Sequence, residues 1–196
     1  RAASTYIEQA ILIDKSNTKE KTWRYRGEIY LNISRDSSMT MEYPNALRIS
    51  MESYLKATEL DLKGRYEDES KLGLAQVQIE ANGKGISYYN TTSFDLAASS
   101  FDLAAEVART FDIVDTMAVY NAALCYEKAD MTDMAIERYR DCADIKYQVP
   151  NVFLFISTLY RNSDNDEEAL RVLQEARVAY PREQSLIIEE LNIYLT

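Results

Sequence analysis

Two cysteines and four short acidic or glycine-bearing runs are the places in this 196-residue chain whose residue types suggest chemistry. A thiol nucleophile needs a base beside it, and the most versatile one, histidine, is absent from the whole sequence. The same absence removes the commonest metal ligand, and Cys125 and Cys142 lack the C-x2-C spacing of a zinc site. Both cysteines fall where small residues are needed for packing, so they read as buried hydrophobes rather than a disulfide. Asn82-Gly83-Lys84-Gly85 has the residue types of a phosphate loop without its preceding strand or its spacing. The acidic runs Tyr66 to Glu69 and Ser163 to Glu168 suggest cation sites, but the second lacks the turn glycine and the closing ligand of a calcium loop. Its Asn165, followed three residues on by Glu168, reads as a helix N-cap. Glu189 and Glu190 are adjacent and therefore splayed on a helix. No catalytic residue, cofactor or metal is assigned, and the chain is expected not to be an enzyme.

The elements that carry these residues are helices. The composition is 46% hydrophobic and 28% charged with five glycines and three prolines, which supplies a core and few helix breakers. No run of about eighteen uncharged apolar residues occurs, so no membrane span is expected in this segment. Residues 1–66 hold eleven Lys and Arg against nine Asp and Glu, net +2, so the rest of the chain carries −12 of the total −10. An acidic field of that kind disfavours nucleic acid and anionic lipid as main partners.

Tyr126, Ala135, Tyr139 and Cys142 are answered thirty-four positions later by Tyr160, Ala169, Leu173 and Ala176. A period of 34 marks helix pairs that are each too small to bury their own apolar face and must stack. The last unit (150–183) has Phe153, Ser157 and Tyr160 on its first helix, and Pro181 closes it. The unit before (116–149) has Val119, Ala123 and Tyr126. Further upstream, Gly85, Tyr88, Ala97, Phe101 and Ala104 keep the same offsets in a unit spanning 66–111, with a long first helix suggested by Leu72, Ala75, Ile79 and Ile86. The earliest unit (20–62) opens with Trp23, Gly27 and Tyr30 and resumes with Ser50, Tyr54 and Ala57, interrupted by an inserted loop at 34–45. Ala3, Ile7 and Ala10 suit the second helix of an earlier pair (3–14), and Ile187, Leu191 and Tyr194 the first helix of a later one (184–196). Because the chain opens on Arg1 and directly on such a second helix, a segment upstream is expected, and the compartment, cytoplasm or bacterial periplasm, stays open.

These motifs make the chain resemble the tetratricopeptide repeat (TPR) family, in the manner of a bacterial TPR adaptor. The resemblance implies an all-α fold, an α-α superhelix of antiparallel helix pairs forming a single array over 1–196. It implies a scaffold whose concave groove, lined by the first helix of each pair, grips a partner peptide or helix. Carried over position by position, the groove residues are Arg24, Glu28, Asn82, Ile86, Tyr89, Tyr120, Asn121, Leu124, Glu127, Leu154, Thr158 and Arg161. At Asn121 the resemblance implies an amide that clasps the backbone of an extended ligand, supplying donors and acceptor from one side chain. The lysine-rich set with which some TPR adaptors hold terminal carboxylates is missing, since lysines do not cluster on the first helices. Two alternatives stand beside the scaffold: a structural or self-associating domain of a larger assembly, in which a second copy is the partner, and a regulatory domain of an enzyme whose catalytic part lies elsewhere.

Overall fold

A computed structural model describes residues 2–195; Arg1 and Thr196, the outermost residues of the expected array, lie outside the described residues. Among the described residues the regular structure is helical, with no strand. In chain order the helices are α1 (Ala2–Ile11), α2 (Asp14–Asn17), α3 (Glu20–Arg35), α4 (Ala46–Leu60), α5 (Glu67–Asn90), α6 (Phe94–Arg109), α7 (Thr116–Lys128), α8 (Thr132–Asp144), α9 (Asn151–Asn162), α10 (Asp166–Ala179) and α11 (Gln184–Leu195). No helix among the described residues is long and apolar enough to cross a membrane. The chain divides into two compact units, residues 1–84 with 103–114, and residues 85–102 with 115–196.

The connections after α5 to α9 share one device. A residue with positive φ, namely Thr92, Asp112, Asp130, Lys146 or Asp164, ends each helix. The amide of the next residue then bonds a carbonyl five positions back: Ser93 to Tyr88 at 2.9 Å, Ile113 to Ala108 at 3.1 Å, Met131 to Tyr126 at 3.0 Å, Tyr147 to Cys142 at 2.8 Å and Asn165 to Tyr160 at 3.0 Å. This is a Schellman closure, and it satisfies carbonyls that a helix end leaves orphaned. Glycine usually takes the left-handed position, whereas here three of the five residues are aspartates, which tolerate it through their short polar side chains. Tyr126 closes its turn with its carbonyl while its ring, 3% exposed, packs in the core.

In the first unit, α3 and α4 pair tightly. Ser50 Oγ donates to the Gly27 carbonyl at 2.7 Å, which places the two backbones close together. The ring of Tyr54, 5% exposed, occupies the slot between Gly27 and Gly73 of α5: a Cβ on Gly27 would lie 2.9 Å from the ring, and one on Gly73 only 2.3 Å from Cζ. Arg26 joins α1 to this pair by donating to Glu8 at 2.8 Å and to Ser53 at 2.8 Å. The insertion is not a free flap. It forms a 3-10 turn (Ser37–Met39) started by Asp36, whose carboxylate accepts from the Ser38 amide at 2.9 Å. Met39 and Tyr43 then pack on Tyr30, Ile33 and Ala46, and the Tyr43 hydroxyl meets Ser4 Oγ at 3.2 Å.

Helix α5 turns a different face inward from the one its apolar spacing suggests. Gly73, Leu74, Val77 and Ala81 are buried, whereas Leu72, Ile79 and Ile86 are 60%, 71% and 56% exposed. The inward face carries small residues because a neighbouring ring must enter there, as Tyr54 does at Gly73.

In the second unit, α7 pairs with α8 and α9 with α10 in a 34-residue register. Val119 and Phe153, Ala123 and Ser157, Ala135 and Ala169, Tyr139 and Leu173, and Cys142 and Ala176 are all buried. Gly85 and Phe101 make the equivalent close approach, with a Cβ on Gly85 falling 2.8 Å from the Phe101 ring. The expected N-cap is present, the Asn165 side chain accepting from the Glu168 amide at 3.2 Å.

Candidate functional site

Four of the twelve groove candidates converge. Ile86 and Tyr89 from the end of α5, and Asn121 and Leu124 from α7, line one depression of the second unit together with Phe101 and Cys125, enclosing about 220 Å³. Their convergence follows from helix periodicity: residues three and four apart share a face, so 86 with 89 and 121 with 124 project the same way. Ile86 and Tyr89 are 56% and 40% exposed, which leaves the rim accessible, and Cys125 at 1% forms the floor. Lys128 lies over the Tyr89 ring at 5.9 Å and the Phe94 ring at 5.6 Å, placing a cation at the edge. The Tyr89 and Phe94 rings meet edge to face at 5.5 Å, which steadies that wall.

The depression is chemically quiet. Burial pushes the Cys125 thiol from 9.0 up to about 11, against a lesser downward pull from Lys128, so it is protonated at neutral pH and a poor nucleophile. What remains is an apolar hollow with one primary amide, the arrangement that fixes a side chain by burial and its backbone by hydrogen bonds.

The other candidates in this unit serve different ends. Tyr120 is drawn into an aromatic cluster, 6.2 Å from Tyr139 and 5.7 Å from Tyr147, and its phenol is pushed upward mainly by burial. Glu127 accepts the Tyr139 hydroxyl at 2.5 Å, which commits its carboxylate to the α7–α8 pair and, with burial as the larger cause, holds the Tyr139 phenol well above its ordinary range. Leu154 is half-buried on α9. Thr158 and Arg161 line a separate polar depression of about 450 Å³ with Asn162, Asp164 and Asp166. Arg161 also donates to Glu189 of α11 at 2.7 Å.

In the first unit, Arg24 pairs with Glu20 at 3.4 Å and lies 4.7 Å over the Tyr66 ring; Glu28 is exposed and Asn82 half-buried. Among the described residues no group of three or more His, Cys, Asp or Glu is placed to hold a metal ion.

Phe101 and Cys125 escaped the groove reading because each occupies a packing position of the repeat. The signal was present at Gly85, whose missing Cβ admits the Phe101 ring to the edge of the depression. Behind this wall a polar network ties three helices together. Asp102 accepts the Tyr126 hydroxyl at 2.7 Å and Arg138 Nε at 2.8 Å, and Arg138 also reaches Asp141 at 2.9 Å.

Among the described residues the arrangement is all-α, with successive helices packed in adjacent pairs. No family model and no curated protein matches the chain. Among solved structures, MamA RS-1 ArsTM double mutant is similar over 82% of this chain and 97% of its own, at 14% identity and a TM-score of 0.43. YrrB, a TPR protein with an unusual peptide-binding site, is similar over 94% of this chain and 97% of its own, at 16% identity and the same TM-score of 0.43.

Proposed function

We propose that the chain is a non-catalytic protein–protein interaction scaffold that holds a segment of a partner polypeptide by an apolar side chain seated in the depression of the second unit. The observation that supports this reading is the convergence of Ile86, Tyr89, Asn121 and Leu124 on one hollow with an apolar floor. The partner's anchor is aliphatic or aromatic, and the Asn121 amide bonds its backbone. Burying one such side chain contributes about 1.5–3 kcal/mol, which is roughly ten- to a hundredfold in affinity. Contacts of that size give reversible binding without any covalent step.

Selection from a displayed library of random linear peptides tests it. Retained sequences share an apolar anchor, and their affinity drops at least about tenfold on Ile86→Asp, a substitution at an exposed position, and less on Asn121→Ala. Asn162→Ala, in the other depression, leaves binding unchanged. Tyr120→Ala is a poor probe, because it opens the aromatic cluster with Tyr139 and Tyr147. Peptides that bind equally well to the Ile86→Asp and Asn121→Ala variants would show that this hollow is not the working surface.

A further inference from the structure

Lys128 stands at the edge of the second unit's hollow with its charge uncompensated. Its ammonium lies 5.9 Å from the centre of the Tyr89 ring and 5.6 Å from that of Phe94, and among the described residues it makes no ion pair. Other cations of the same unit are differently placed: Arg138, Arg140, Arg161, Arg171 and Arg177 each reach a carboxylate. The carboxylate next to Lys128 in sequence, Glu127, is turned to the Tyr139 hydroxyl. The charge is felt inside the hollow. Burial raises the Cys125 thiol of the floor, and the charge that pulls against it is that of Lys128.

The spacing along α7 sets where a ligand meets this charge. Asn121, Leu124, Cys125 and Lys128 fall on one stripe of the helix, being three or four residues apart in turn. Lys128 therefore follows Asn121 by about 10 Å along the axis, at roughly 1.5 Å per residue. An extended chain covers that distance in about three residues.

We propose that Lys128 is a specificity-determining residue of the hollow, selecting a partner segment that carries an aspartate or glutamate about three residues from its apolar anchor. This rests on the reading of the hollow as the partner-binding site, in which Asn121 bonds the backbone of the anchor. A side-chain carboxylate fits the spacing and a chain terminus does not, since the terminal carboxylate of an anchor held at Asn121 stops about two helical turns short of Lys128. The incoming carboxylate breaks no existing ion pair, so its attraction to the ammonium is not offset by a lost one. Lys128 is exposed, and a pair at such a site contributes about two- to fivefold in affinity. The residues after 66 carry −12, so the selection is for one acid at this place and not for an acidic segment.

Peptides retained from the random linear library supply the probes, made as pairs that differ only by Glu or Gln at the acidic position and carry amidated C-termini. Fluorescence anisotropy on the full chain at low salt gives a preference of about two- to fivefold for the Glu member, which fades at high salt. Lys128→Met keeps an unbranched stem over the Tyr89 and Phe94 rings without the charge; it binds both members alike, with the wild-type affinity for the Gln peptide. Retained peptides that share an apolar anchor but show no acid preference overturn the assignment of Lys128 and leave the hollow reading standing. So does a preference that survives Lys128→Met, or one that appears only when the C-terminus is free. Peptides indifferent to Ile86→Asp remove the hollow reading itself, and this inference with it.

Discussion

Two glycines ten residues apart on α5 respond in opposite directions to the same substitution. Alanine is favoured over glycine in a helix interior by about 1 kcal/mol, so Gly83→Ala, whose Cβ meets nothing within 4 Å, stabilises by roughly 0.5–1 kcal/mol. At Gly73 the new Cβ falls 2.3 Å from Tyr54 Cζ and 2.4 Å from Cε1, more than 1 Å inside ordinary contact. The ring cannot retreat, because Gly27 already lies against its other end and the side chain is 5% exposed. Overpacking of this kind costs about 1–3 kcal/mol or more, which outweighs the helix gain and leaves Gly73→Ala destabilised by roughly 1–2 kcal/mol. Urea unfolding followed at 222 nm separates the two variants by about 1.5–3 kcal/mol with unchanged m-values. For a chain of this size that corresponds to melting temperatures several degrees apart. Tyr54→Leu, which removes the ring atoms nearest Gly73, destabilises on its own but relieves the added cost of Gly73→Ala, so the double-mutant cycle shows favourable coupling. Gly73→Ala as stable as Gly83→Ala, or no coupling to Tyr54, would refute the slot and the close approach of α5 to the α3/α4 pair.

Three other outcomes follow from the same packing. Cys125 and Cys142 are 1% and 0% exposed, and burial lifts their thiols from 9.0 to about 11 and about 12; both resist a chromogenic disulfide reagent in the native state, and both react on unfolding in urea. Burial raises the phenols of Tyr30 and Tyr54 from 10.0 to about 12, with Glu8 and Glu28 as lesser contributors. The native state therefore keeps these protons where the unfolded chain has lost them, so the stability they contribute is complete below pH 10 and lost as pH rises towards 12. Melting temperature accordingly falls through that window, with the cysteines adding to the loss from about pH 9, while the absence of histidine removes the side chain that would titrate near neutrality. Asp102→Ala strips the Tyr126 hydroxyl and Arg138 Nε of their acceptor and costs about 1–3 kcal/mol in denaturant unfolding, more than Tyr126→Phe at roughly 0.5–1.5 kcal/mol.

The register of α7 to α11 was legible in the residues themselves. Tyr126 and Tyr160, or Ala135 and Ala169, stand 34 apart because each pair must present the same alternation of small and bulky side chains to its neighbours, and that demand is local enough to be written in sequence. The N-cap at Asn165 was legible for the same reason, being settled within four residues. The Schellman closures were not, because Thr92, Asp112, Asp130, Lys146 and Asp164 stand where glycine is the usual sign. Nor was the buried side of α5. Leu72, Ile79 and Ile86 form a regular apolar stripe, yet Gly73, Leu74, Val77 and Ala81 are the residues that go inward. Helical periodicity states that a stripe exists; which stripe is covered depends on which neighbour arrives and how closely it can approach, and a glycine opposite a tyrosine ring permits an approach that a leucine forbids. The meeting of Tyr43 with Ser4, and that of Phe101 with Cys125 at the hollow, belong to the same class. They join residues tens of positions apart, and only packing in three dimensions brings such side chains within reach of one another.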